Sequence, residues 1–201
     1  METIKNKTTH YPWLDAMRFI AAFTVLICHT RNNFFVRFNE LPEVQRNAFS
    51  FAFYLIGKLG YEAVIVFFVL SGFLVGGKGL ERIGNHTFNV SSYAIDRAVR
   101  IGIPLVTAIG LGIVVMNITG MECDYLSAVG NLLSLQGILC KPFISPFWSL
   151  SYEVWFYVIL AAIGMMMQRQ RKGMVLFVIC CLAFLRLAPY FLLLWFMGAF
   201  A

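Results

Sequence analysis

Residues 101–118 read I-G-I-P-L-V-T-A-I-G-L-G-I-V-V-M-N-I, eighteen positions without a charge. As a helix, a run of that length matches the hydrocarbon core of a bilayer. It is continuous instead of alternating, which argues against a barrel strand. The whole chain has the same character. Of its 201 residues 60% are hydrophobic and 13% charged, with a mean hydropathy of +0.76. A soluble domain of this length buries its core without being so apolar, so the excess must face lipid. The expected fold class is all-α: a polytopic transmembrane helix bundle with about five to seven membrane helices.

Working outward from that stretch, Pro104 falls in the first turn of the expected span, where a missing N–H does little harm. Residues 78–100 read as a polar loop ending in D-R-A-V-R. Further spans are expected over 14–35, 53–77 and 147–167, with apolar runs over 173–185 and 190–201. The apolar run 126–139 has only fourteen residues and includes Ser, Asn and Gln, short for a span; the charge bias makes it re-entrant or interfacial, with a crossing the open alternative. Residues 1–12 form a polar N-terminal tail, and 13–201 a single transmembrane domain. Trp13 marks the water–lipid boundary. The last apolar run has no polar segment after it, so the domain is expected to be incomplete at its C-terminus.

Charge sets the orientation. Segments 1–18, 78–100 and 168–172 hold ten of the sixteen Lys and Arg. Placed in the cytoplasm, they satisfy the positive-inside rule, with the N-terminus inside. The net charge of +6 is therefore topological and no sign of nucleic-acid binding. No metal site is expected. The five cysteines make no framework. Cys28, Cys180 and Cys181 sit in apolar segments as packed thiols, and a Cys123–Cys140 disulfide is an open alternative if that side is oxidising.

Three constellations carry possible chemistry. In the first span, Arg18 and His29 are separated by ten uncharged residues. At 100° per residue they lie within roughly 20° of one another on one face, ~16 Å apart. Arg18 taken alone reads as a snorkelling flank residue. His29 reads equally as a packed imidazole or as a proton-transfer group. Arg97 and Arg100, at i and i+3, suit phosphate, or else are charges that stop a span at the cytoplasmic edge. Ser149 and Glu153 share a face just inside the fourth span, next to Trp148, and a membrane carboxyl is functional by default. Two further features are plainer. Lys58 and Glu62 have the spacing of a helix-face ion pair. Ser71-Gly72 and Gly76-Gly77 let either a helix or a ligand approach the backbone.

One mechanism links these groups. Arg97, Arg100 and Arg18 grip the phosphates of a cytoplasmic acyl-CoA. His29 deprotonates an acceptor hydroxyl arriving from the other side or relays the acyl group. Glu153 orients His29 or stabilises its imidazolium.

The chain resembles the membrane-bound acyltransferase-3 family. Arg18 and His29 match its R-x10-H signature. Phe67 to Leu74, F-F-V-L-S-G-F-L, match its second-helix motif. Arg97 and Arg100, followed by I-G-I-P, match its R-x-x-R element. Trp148-Ser149-Leu150, Glu153 and Phe156-Tyr157 match W-S-L-x-x-E-x-x-F-Y. The resemblance implies an O-acyltransferase of the bacterial inner membrane. Its donor is acyl-CoA, usually acetyl-CoA, and its acceptor a hydroxyl of an extracytoplasmic saccharide. The resemblance implies Arg18 and His29 as the active-site pair, to which the mechanism above adds Glu153 as the third expected catalytic residue. The donor contacts are Arg97, Arg100, Ser71 and Gly72, and the acceptor contacts Trp148 and Ser149. Where many members carry an acid just before the second-helix Phe-Phe, this chain has Val64-Ile65-Val66, with Glu62 the nearest acid. Full members also have further helices. The alternatives are an inactive truncated remnant or interaction subunit, and a proton-coupled transporter using His29 and Glu153. The transporter is disfavoured because no inverted repeat is visible.

Overall fold

In a computed structural model the described residues are 12–201, so most of the expected N-terminal tail lies outside them. Among these residues the fold is all-α, with eight helices. They are α1 (Pro12–Phe34), α2 (Ala48–Lys58), α3 (Gly60–Gly84), α4 (Val90–Thr119), α5 (Tyr125–Leu132), α6 (Trp148–Met167), α7 (Arg171–Phe184) and α8 (Pro189–Ala199). Four of them, α1, α3, α4 and α6, are long and apolar enough to cross a membrane. The chain divides into two compact units, Met1–Leu70 and Ser71–Ala201, with the boundary inside α3.

In the first unit, Pro12 opens α1 at a position where its lost N–H is harmless. Ala21 is the helix's only buried residue. Phe19, Ile20, Phe23 and Leu26 are exposed, as a lipid-facing surface requires. α1 packs against α2. The loop between them is stapled by Arg46, which donates to the carbonyls of Leu41 (2.9 Å) and Asn39 (2.8 Å). Asn47 caps α2 by accepting from the Ser50 N–H at 3.0 Å. The expected span 53–77 is not one helix. The chain breaks at Leu59, and α3 then runs on to Gly84. This break removes the expected Lys58–Glu62 pair. Lys58 ends one helix and Glu62 lies in the first turn of the next, and no ion pair joins the two.

In the second unit, α3 widens into a π-helical segment, Gly72–Gly77, before closing as Lys78–Gly84. α8 packs on that segment. α6 forms the core. Phe156, Leu160 and Ala162 are fully buried there, alongside Trp195 of α8 and Cys180 of α7. α6 and α7 form a tight hairpin. Residues 78–100 are not a polar loop. α4 starts at Val90, so Pro104 lies inside a 30-residue helix and not in its first turn. At ~45 Å the helix outreaches the hydrocarbon core, so its charged first turns fit the headgroup zone. Pro104 also leaves the Arg100 carbonyl without its intrahelical donor. Gly120 ends α4 with φ +70°, a left-handed cap that few side chains tolerate.

The run 126–139 contains only the eight-residue α5, about 12 Å long and too short to cross. It is tied down by polar bonds instead. Asp124 caps it, and the two bonds from Ser127 hold that carboxyl below the usual carboxylate range. Fully buried Asn131 donates to the carbonyls of Ser127 (2.7 Å) and Lys141 (2.9 Å) and accepts from the Phe143 N–H at 3.0 Å. Cys123 and Cys140 are free thiols. Asn131→Ala strands Phe143 N–H and the Lys141 carbonyl in a closed pocket. The expected loss is about 3 kcal/mol, read as a lower unfolding midpoint in detergent. An unchanged midpoint would show that water replaces the amide.

Candidate active site

α6 presents Glu153 and Tyr157 one turn apart on one face. The Tyr157 hydroxyl donates to Glu153 Oε1 at 2.6 Å. Its oxygen lies 3.1 Å from Ser71 Oγ, which in turn accepts from Trp195 Nε1 at 3.3 Å. Tyr157 has one proton and gives it to Glu153, so Ser71 must donate to Tyr157. The result is a one-way chain of donors, Trp195 to Ser71 to Tyr157 to Glu153. It joins α8, the start of the π segment and α6 inside the bundle. Ser71 and Tyr157 are both buried and Glu153 is half-buried.

Arg97 of α4 sits over the Tyr157 ring, its guanidinium carbon 5.6 Å from the centroid, a cation–π arrangement. Its Nε is buried without a hydrogen-bond partner, as is the hydroxyl of Tyr93 one turn earlier. Both residues line a cleft of about 420 Å³ whose other walls are almost wholly apolar, including Leu105, Val154 and Ala161. The wall follows α4 from Val90 to Leu105, ~22 Å of helix. A second cleft, of about 330 Å³, is lined by Arg100 from α4 and by Glu153 from α6, together with Phe147 and Leu150. No ion pair joins those two charges among the described residues. Two unpaired buried donors in an apolar wall are a cost that a polar ligand can offset.

The other expected site residues divide as follows. Trp148 packs its ring on Tyr152 and Phe191, with centroids 6.0 and 5.9 Å apart. Ser149 turns its hydroxyl back to the Pro146 carbonyl at 3.4 Å. Gly72 is occupied by a helix: a β-carbon there would collide with the Trp195 carbonyl. In the first unit, Arg18 and His29 do share α1 at the expected separation. Arg18 reaches Asp15 at 4.0 Å across a solvent-exposed gap, a weak pairing that leaves its guanidinium able to bind an anion. The His29 imidazole is half-buried and forms no hydrogen bond to any other described residue. Its carbonyl takes Asn33 Nδ2 at 2.8 Å.

Sequence reasoning placed Glu153 and named Tyr157 in the same motif, but did not pair the two. Tyr157, four residues on, was visible by helical spacing, though an aromatic there reads first as core. Tyr93 and Trp195 carried no local signal. Trp195 reaches Ser71 across 124 positions of sequence.

Long apolar helices that enclose a hydroxyl–carboxyl chain and an unpaired cation define an integral membrane protein with polar chemistry in its interior. A sequence model described as an acyltransferase domain matches residues 11–201, and the chain belongs to the acyltransferase 3 family. It is thus a membrane acyltransferase by family. Nothing matches it among curated proteins or solved structures.

Proposed function

We propose that the protein moves an acyl group, acetyl in the leading form, from cytoplasmic acyl-CoA to a hydroxyl of an extracytoplasmic saccharide. It does so in a bacterial inner membrane, with its N-terminus inside and five to seven helices engaging the bilayer (about 20 residues per full crossing). The observation that carries the donor half is the apolar cleft beside Arg97. A long narrow groove with two unsatisfied donors, Arg97 Nε and Tyr93 Oη, suits the extended pantetheine arm and thioester of coenzyme A. Arg97, Arg100 and Arg18 hold phosphate in this reading.

In the transfer step the acceptor oxygen attacks the thioester carbonyl carbon. The new C–O ester bond forms, the C–S bond breaks, and the coenzyme thiolate leaves. His29 takes the hydroxyl proton and passes it to the thiolate. Glu153, held by Tyr157, has in this reading the role of orienting His29 or stabilising its imidazolium. Trp148 and Ser149 serve the acceptor.

The test supplies acetyl-CoA labelled in its acyl group to inverted membrane vesicles containing this chain. Label should enter the saccharide fraction. Arg97→Gln should raise the donor KM about tenfold, the loss of one charge-assisted bond. Label that stays in free acetate at the rate of empty vesicles refutes the reading and favours a non-catalytic membrane subunit.

A further inference from the structure

The six Lys and Arg outside the expected cytoplasmic segments are not scattered. Arg31, Arg37, Arg46 and Lys58 fall within 28 residues of one another. They run against the bias that ten of the sixteen Lys and Arg follow, and their clustering calls for a local reason. Arg46 has one, since it staples the loop through two carbonyls. The other three line a single cleft of about 500 Å³ in the first unit. Arg31 gives its donors to Asn32 and to the Tyr54 carbonyl, and Arg37 and Lys58 are exposed. None of the three is ion-paired with a carboxylate among the described residues. Glu40 and Glu43, the acids of the same loop, do not line the cleft. Phe35, Phe38, Tyr54, Asn32 and Asn39 line the same cleft, with Asn32 Oδ1 already taken by Arg31 and Tyr54 buried.

We propose that this cleft is the acceptor subsite, and that it selects a saccharide bearing an anionic group, a carboxylate or phosphate on the sugar. The proposal rests on the acyl-transfer reading above and adds the acceptor's chemistry to it. Three uncompensated cations in one concavity hold an anion. The exposed ring of Phe35 takes the apolar C–H face of a pyranose, and the exposed Asn39 amide supplies a donor and an acceptor for its hydroxyls. A lipid headgroup needs the charge but neither the ring nor the amide. Position also fits. The cleft starts two residues beyond His29, and Asn32 in its wall is the i+3 neighbour of His29 on the same side of α1. A sugar seated there lies beside the imidazole that would take its proton.

The experiment uses the full chain in phosphatidylcholine nanodiscs, with calorimetric titration of an oligomer of galacturonic acid. The neutral control is the same oligomer fully methyl-esterified. The acid form should bind at least tenfold tighter than the ester and weaken as salt rises. The Arg37→Gln/Lys58→Gln double variant should lose that preference. These two are chosen because Arg31 also ties α1 to α2 through the Tyr54 carbonyl. Equal binding of acid and ester, or an unchanged double variant, overturns the proposal. So does displacement of the oligomer when phosphatidylglycerol is added to the discs, which would mark a headgroup site. Its failure is separable from that of the transfer reading. Label transfer from acetyl-CoA with no preference for acid acceptors sinks this inference alone. Selective acid binding without transfer supports the anion subsite and sinks the transfer step.

Discussion

Gly72→Ala is expected to destabilise the protein by about 3 kcal/mol or more, at the upper end of the usual cost of overpacking. On helix propensity alone the change should help, since alanine is favoured over glycine in a helix by about 1 kcal/mol. Contact decides the sign. A β-carbon at Gly72 would run into the Trp195 carbonyl and its carbon, and would sit 3.2 Å from Ala199 N. Those are backbone atoms of α8, which cannot rotate away as a side-chain tip can. The whole of α8 would have to retreat from the π segment. That retreat would stretch the bond from Trp195 Nε1 to Ser71 Oγ and so reach Tyr157 and Glu153. Gly110 is the control. It lies within α4 with nothing inside 4 Å of its would-be β-carbon. Gly110→Ala should therefore stabilise by about 0.5–1 kcal/mol. The comparison is read from unfolding midpoints of the two variants in one detergent. If both shift the same way, close packing of α8 on Gly72 is not what that glycine is for.

The contrast between those glycines shows where sequence reading reached and where it stopped. Residues 101–118 announced a membrane helix because hydropathy is local. For the same reason the start of α4 was misplaced. Asp96, Arg97 and Arg100 interrupt the apolar window, yet the backbone stays helical from Val90 because its first turns need no hydrocarbon around them. The break at Leu59 was invisible because apolar residues continue on both sides of it. Arg18, His29, Arg97 and Glu153 could be named from spacing, since one charge in a greasy segment stands out. Their pairings could not. Ser71 stood out as a small residue and Tyr157 as part of a motif, but that both join Trp195 in one chain of hydrogen bonds follows only from tertiary packing. The basic cleft around Arg31 was likewise missed, because its three cations read separately as loop charge.

Two kinds of polar burden thus lie in the two units. In Ser71–Ala201 much of it is settled internally: four groups from three helices satisfy one another in sequence, while Arg97 Nε and Tyr93 Oη are left over at the apolar cleft and Gln136 Oε1 is left over away from it. In Met1–Leu70 Arg37 and Lys58 of the cleft and the imidazole of His29 keep bonding capacity that no described residue takes up, while Arg31 spends its donors on Asn32 and Tyr54. A stable bundle gains nothing from either remainder. Binding or catalysis gives them a use, which makes His29 the sharpest place to test.

His29→Ala should lower acyl transfer by about 10²- to 10⁴-fold, the usual worth of a positioned acid–base group. The protein should stay folded. The imidazole is half-buried and bonded to no other described residue, and the main-chain bond from Asn33 Nδ2 to the His29 carbonyl survives the change. Alanine also suits the middle of α1. The loss should therefore fall on kcat, with the donor KM nearly unchanged, because donor phosphate and thioester are assigned to other residues. Arg97→Gln should do the reverse. That opposite split matters more than either loss alone, since a general packing defect would lower both quantities in both variants. Measured with labelled acetyl-CoA in vesicles, turnover in His29→Ala equal to the parent chain would remove His29 from the chemistry. The Arg97 cleft would then stand as a donor site in need of a different base.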